Sequence, residues 1–202
     1  LLPRNCDYDR WRAGNGSTVR LLMLVEFGYV RATASDGTEY TFVPSFGRIA
    51  SLGHPKEVVG IYAGLHGIRA AQDADYVLAC LCEQDDPMPL IGWREDGVYH
   101  AGLMPPDEKI IIARHLMHHG IIGKAKPGKG EGQFSDSFNA SEYIAAACMY
   151  LGLSRSDASE LSMTEYQILR EMKFPDEQKQ RDLPTREEHE AAIKAIEERK
   201  RG

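Results

Sequence analysis

FVPSFGRIASLGHPKEVV, residues 42–59, is where the chain changes its period. Ahead of it, apolar and β-branched residues crowd at strand spacing. From Phe46 onward, Phe46, Ile49 and Leu52 recur at helical spacing. Pro44 ends the strand because it has no N–H to give a ladder. Gly53 stops the short helix, and Pro55, suited to a first helical turn, opens another that carries Val58, Val59, Ile61, Tyr62 and Leu65 and closes at Gly67. Working outward toward the N-terminus, Val19, Leu22, Leu24, Val25, Phe27 and Val30 predict a strand within Thr18–Arg31. Ser35-Asp36-Gly37 is a turn signal and Glu39–Val43 returns, so a β-hairpin is predicted there. Residues 1–17 mix charge, Pro, Gly and Asn and read as a loose leader.

Toward the C-terminus, a third helix is predicted from about Ala70 to Glu83, burying Tyr76, Val77, Cys80 and Leu81. Leu90–Trp93 and Val98–Ala101 flank Glu95-Asp96-Gly97 as a second hairpin. Pro105 and Pro106 start a helix whose first turn holds Asp107 and Glu108, where negative charge suits the macrodipole. It ends at Gly120. Residues 123–137, GKAKPGKGEGQFSDS, are rich in Gly and Lys and read as a flexible linker or long loop. Beyond it everything is predicted helical. Asn139 with Glu142, Ser162 with Glu165 and Thr185 with Glu188 each have capping-box spacing. The helix after Asn139 is apolar on nearly all sides and is expected at the centre of a bundle. The fold class is therefore predicted as α+β, predominantly α-helical. The expected organisation is a leader (1–17), an N-terminal α+β domain (18–122), a Gly/Lys linker (123–137) and a C-terminal helical bundle or arm (138–202).

The chain has 202 residues, with 24 Lys and Arg against 30 Asp and Glu, a formal charge of −6. An acidic balance argues against a dedicated nucleic-acid binder, which needs a basic surface to neutralise phosphates. The longest apolar run, Leu21–Val25, is strand-sized and far from the roughly 18–20 residues that span a bilayer. No signal-peptide pattern opens the chain, so secretion is not expected. Cys6, Cys80, Cys82 and Cys148 are scattered, and the C-x-C pair is neither a redox nor a zinc motif. They are expected as reduced, buried thiols.

Three patterns invite a chemical reading. Gly123–Gly130 matches the first seven positions of a P-loop, but Gly130 stands where a Ser or Thr must hold Mg²⁺, and no strand precedes it. His115 and His119 lie one helical turn apart beside His118. Leu116, however, occupies the position of the zincin glutamate, and no second cluster offers further ligands. Imidazoles near a helix C-terminus suit its last carbonyls instead. Two helices across a turn at Ser162 raise a helix-turn-helix reading of residues 140–172, yet Thr164–Lys173 carries Glu165 and Glu171 among its bases and shows no basic face. No catalytic residue, cofactor or metal is assigned.

Two stretches carry a family resemblance. One is residues 42–59 above. The other is Glu142-Tyr-Ile-Ala-Ala-Ala, Leu151-Gly-Leu-Ser, Leu161-Ser-Met-Thr-Glu-Tyr-Gln and Met172-Lys-Phe-Pro. Together they resemble the tail assembly chaperones of long-tailed phages, over residues 40 to about 195. The resemblance implies a non-enzymatic protein of the host cytoplasm. It would bind the long, helical, aggregation-prone tape measure protein, keep it soluble, help recruit tail tube subunits and leave before the virion is complete. Self-association is compatible with it, and a membrane partner is not implied. A partner helix would be held through i, i+3, i+4, i+7 anchors. Tyr143, Met149, Tyr150, Tyr166, Leu169 and Met172 are the expected anchors, because Met and Tyr adapt to irregular partners. The alternatives are a minor tail or connector subunit retained in the virion, and a small regulator that binds DNA or a host protein.

Overall fold

The structure, a computed structural model, describes residues 19–24, 27–124 and 136–175. Three antiparallel strands come first: β1 (Val19–Leu24), β2 (Tyr29–Ala34) and β3 (Glu39–Phe42), in the order β1-β2-β3. The sequence predicted one hairpin here. The structure divides its first strand in two, because the chain reverses at Phe27-Gly28 and pairs Leu24 with Tyr29. Along β2 and β3, Val30, Ala32, Ala34, Tyr40 and Phe42 turn inward, as a period of two requires. The outer side of β3 is closed by the end of the third helix. Val43 N–H donates to the Leu81 carbonyl (2.9 Å), and Glu83 N–H donates to that of Thr41 (2.8 Å).

Helix α1 (Phe46–Ser51) follows, its first turn capped by Ser45 Oγ accepting from Arg48 N–H at 3.4 Å. Phe46, Ile49 and Leu52 are all buried, as their spacing predicts. Helix α2 (Pro55–Gly64) ends one turn earlier than the predicted Gly67. Helix α3 (Ala70–Leu81) buries Ala74, Val77, Leu78 and Leu81. Tyr76 was expected in the core and is instead exposed, its hydroxyl donating to the Leu52 carbonyl at 2.9 Å. A single helical turn, α4 (Met88–Ile91), leads into the second hairpin, β4 (Gly92–Glu95) and β5 (Val98–Ala101). Asp96 and Gly97 both have positive φ (49° and 80°), which a two-residue type I′ turn demands. Helix α5 (Pro106–Met117) packs on α3, buries Ile112, Ala113, Leu116 and Met117, and continues as a π-helical turn, His118–Ile122.

Helix α6 (Ala140–Ala146) also continues as a π-turn, Ala147–Leu151, before α7 (Arg155–Glu160) and α8 (Met163–Lys173). Of the region 138–202 that the sequence reads as a helical bundle or arm, the described residues up to Gln167 belong with the earlier elements. The described residues up to Gln167 make one compact unit and those from Ile168 a second, so the division falls inside α8. Phe46 explains why. Its ring lies 5.6 Å from that of Tyr143, 6.1 Å from Tyr166 and 6.4 Å from Phe138, and its N–H donates to the Leu161 carbonyl at 2.8 Å. Nor is α6 buried all round. Ala140, Ile144 and Ala147 face the core, while Ser141, Glu142 and Ala145 face outward. The leader, most of the expected linker, the P-loop-like stretch from residue 125 and the helix expected from Thr185 lie outside the described residues.

The second hairpin, exposed along most of both strands, is held to the helices by a buried cation. Lys109 is 2% exposed; its Nζ lies 2.5 Å from Asp75 Oδ1, donates to the Ile91 carbonyl at 2.9 Å and to the Tyr99 hydroxyl at 2.8 Å. One ammonium thus ties α3, α4 and β5 to α5, through one ion pair and two hydrogen bonds. Replacing it leaves Asp75 without its countercharge. Lys109→Met is expected to cost about 3 kcal/mol in urea denaturation, with much of the loss recovered in Lys109→Met/Asp75→Leu. Equal losses in the single and double variants would show that the pair itself does not anchor the hairpin.

Candidate functional site

The structure brings two of the expected anchors inward and leaves four outside. Tyr143 and Tyr166 belong to the aromatic cluster around Phe46, their rings 5.9 Å apart and edge to face. Their role is packing, because the 3.6-residue period that marks an anchor marks a core residue equally well. Burial, with Glu142 and Tyr166 nearby, pushes the Tyr143 hydroxyl above its ordinary pKa. Met149 and Tyr150, by contrast, are 79% and 55% exposed. They sit in the π-turn that ends α6, where Ala147 fills the inner side and Gly152 closes the turn in the left-handed conformation, its N–H donating to the Cys148 carbonyl at 3.2 Å. Ser154 then caps α7, its Oγ accepting from Asp157 N–H at 3.1 Å. The sequence Leu151-Gly-Leu-Ser therefore encodes a stop and a restart, and that geometry displays Met149 and Tyr150.

Leu169 and Met172 lie in the second unit, in the last turns of α8. They are three residues apart, hence on one helical face, and Met172 is 76% exposed. Phe174 follows, also exposed.

The other π-turn is inward. His118–Ile122 receives the first turns of α8, whose capping box forms as predicted: Ser162 Oγ accepts from Glu165 N–H (3.2 Å) and Glu165 Oε2 from Ser162 N–H (2.9 Å). His119 Nδ1 lies 2.8 Å from Thr164 Oγ1, and Thr164 is 1% exposed. Gln167 Nε2 donates to the Ile122 carbonyl at 3.0 Å, and Lys124 N–H donates to Gln167 Oε1 at 2.6 Å. Side chains of one helix thus satisfy backbone groups left over where the other ends. Gln167 would be needed free on a DNA-reading helix, and here both ends of its amide are engaged.

The imidazoles themselves crowd together. His115 and His119 have ring centroids 4.6 Å apart, and His118 and His119 5.6 Å. Burial first, then the neighbouring imidazoles, lowers the pKa of His115 to about 4 and pulls that of His119 below its usual value. Among the described residues, no group of three or more His, Cys, Asp and Glu side chains could hold a metal ion. No described helix is long and apolar enough to cross a membrane. Cys80, Cys82 and Cys148 are free thiols, with burial raising the pKa of Cys80 and Cys82. What the sequence could not show was the pair of π-turns, since an inserted residue leaves no periodic mark of its own.

Comparison with known proteins gives one match. The model of a family of unknown function, DUF6246, fits residues 67–191, more than half of the chain. The chain belongs to the DUF6246 family. The DUF6246 match takes in α3 through α8, and with them both π-turns, the imidazole cluster and the Lys109 node. No curated protein and no solved structure matches the chain.

Gly28 tests how tightly the imidazole cluster is seated. It has φ +83°, and a Cβ there would run into Cβ and Cγ of His119, whereas Gly37, at φ +88°, has open space around it. Alanine at Gly37 is expected to cost about 1 kcal/mol for its backbone conformation alone. Gly28→Ala should cost about 1–3 kcal/mol more, for displaced packing. Equal urea midpoints for the two variants would mean that His119 has room to move.

Proposed function

We propose that this chain is a non-enzymatic binding protein for an apolar helical partner. On the strength of its resemblance to tail assembly chaperones, we take that partner to be the tape measure protein of a phage tail, held in the host cytoplasm. The observation that carries this reading is the π-turn at Ala147–Leu151, which spends its inner side on the core and turns two large adaptable side chains, Met149 and Tyr150, to the outside. Met has three rotatable bonds and a polarizable sulfur, and Tyr offers a rigid apolar face with a polar tip, the combination that serves irregular helical partners. Leu169 and Met172 offer a second pair at the i, i+3 spacing that a helix-in-groove contact uses. The stretches that resemble tail assembly chaperones flank Met149 and Tyr150 and include Met172. A non-enzymatic reading is supported by His119 and Thr164, an imidazole–hydroxyl pair with the spacing of a base and its nucleophile, in which the hydroxyl is closed off from any substrate.

Co-expression with the tape measure protein of the same tail gene cluster, followed by affinity capture, tests the proposal. A complex that keeps the tape measure in solution is expected. Met149→Asp/Tyr150→Ser should weaken capture by roughly 10–100-fold. The circular dichroism spectrum and melting temperature should hardly change, because neither side chain enters the core. Absence of any complex, together with the chain's presence in purified virions, would overturn the proposal in favour of a retained structural subunit.

A further inference from the structure

The imidazole cluster has a consequence that a binding role neither requires nor predicts. His115 Nε2 is closed off from water and has no hydrogen-bond partner. His119 stands beside it, packed on Gly28 and joined to buried Thr164, at the point where the π-turn of α5 receives α8. We propose that His115 and His119 form an acid-triggered latch, whose protonation releases the first turns of α8 from the π-turn His118–Ile122.

A neutral His115 tolerates an apolar setting at the modest cost of one unpaired nitrogen. A protonated one would carry an N–H with no acceptor in a site shielded from water, which costs much more. A second proton on His119 would then place two cations on rings 4.6 Å apart. The charges acting on His115 are the imidazoles of His119 and His118, and on His119 that of His118. The elements packed around the cluster bring other titratable groups that are engaged elsewhere. Glu165 of α8 accepts from the Tyr29 hydroxyl of β2 (2.8 Å) and from Ser162 N–H. Arg48 of α1 donates to the Cys82 carbonyl, and Arg114 of α5 to that of Leu65. Relief therefore comes from moving the imidazoles into water. Because Thr164 and Gln167 are bonded to this same turn, α8 loses its seat when the turn opens.

The sign follows from linkage. Between the ordinary histidine pKa of 6.5 and about 4, the unfolded or opened chain binds a proton at His115 that the closed form refuses. Stability is complete above the upper value and is lost as pH falls toward the lower.

Imidazole NMR titration of the whole chain, with amide exchange protection measured from pH 7.5 to 4.5, tests the latch. His115 is expected to stay neutral down to about pH 5 while the chain is closed. Amides of residues 118–124 and 163–167 should lose protection ahead of those in α1 and α3. His115→Gln should take up about one proton fewer on unfolding at pH 5 than the parent chain. The proposal is overturned if His115 titrates near its ordinary value with the fold intact, or if α8 remains as protected at pH 4.5 as at 7.5. Should His115→Gln fail to fold, the titration of the parent chain decides alone.

Discussion

Everything in the first unit depends on where Phe46 puts its ring. It is the first residue of α1, it has no exposed surface, and three aromatic rings from the far side of residues 123–137 close over it. A fully buried aromatic contributes roughly 1.5–3 kcal/mol by transfer alone, before specific ring contacts. Its larger effect is topological. It joins α6 and the start of α8 to the core shared with the strands and earlier helices, to which Ile144, Ala147, Ala158 and Met163 also belong. Gly47 beside it leaves the space that Ser159 of α7 fills, so the two helices approach closely at one point of the same motif.

That anchoring decides which apolar groups remain for other uses. Ala140, Ile144 and Ala147 are spent on the core, with Tyr143, Ala146, Cys148 and Leu151 packed half-buried beside them, and Met149 and Tyr150 are left together in the outer sector of the turn. The two π-turns are used in opposite senses. One is filled from inside by imidazoles and clasped by α8, and the other has its large side chains in solvent. A π-turn costs some hydrogen-bond geometry and is uncommon on that account, so two in one small fold mark the places where regular helix was given up. The Lys109 node belongs to the same economy. The hairpin that it secures is exposed along most of its length, and a two-stranded ribbon of that kind is marginal without such an anchor.

Much of this was legible in the residues. The change of period at Pro44, the short helix stopped by Gly53, the type I′ turn at Asp96-Gly97 and the Ser162–Glu165 box each rest on a local rule, and each appears as predicted. The losses have physical reasons. The turn at Phe27-Gly28 was missed because Gly28 is needed for a positive φ beside His119, a tertiary demand with no Asn-Gly or Asp-Gly signature. Asn139 and Glu142 have capping-box spacing, yet their side chains bond to each other and not to the backbone. Tyr143 and Tyr166 read as anchors because Tyr adapts to irregular partners, and the same rigid apolar ring with a polar tip serves equally well inside its own chain's core. Residues 123–137 read equally as linker or long loop, because a Gly-rich connection says nothing about whether the helices after it return to the same core.

The central claim is that the side chains this fold leaves outside meet a helical partner while those it buries do not. Methyl NMR of methionine-labelled chain, with and without the tape measure protein, tests it most directly, since the methionines report from both environments. Met149 and Met172 are exposed, whereas Met104, Met117 and Met163 are buried. The account predicts that the signals of Met149 and Met172 shift or broaden on adding the partner while the other three hold their positions. Unchanged signals throughout, or changes confined to the buried three, would contradict it.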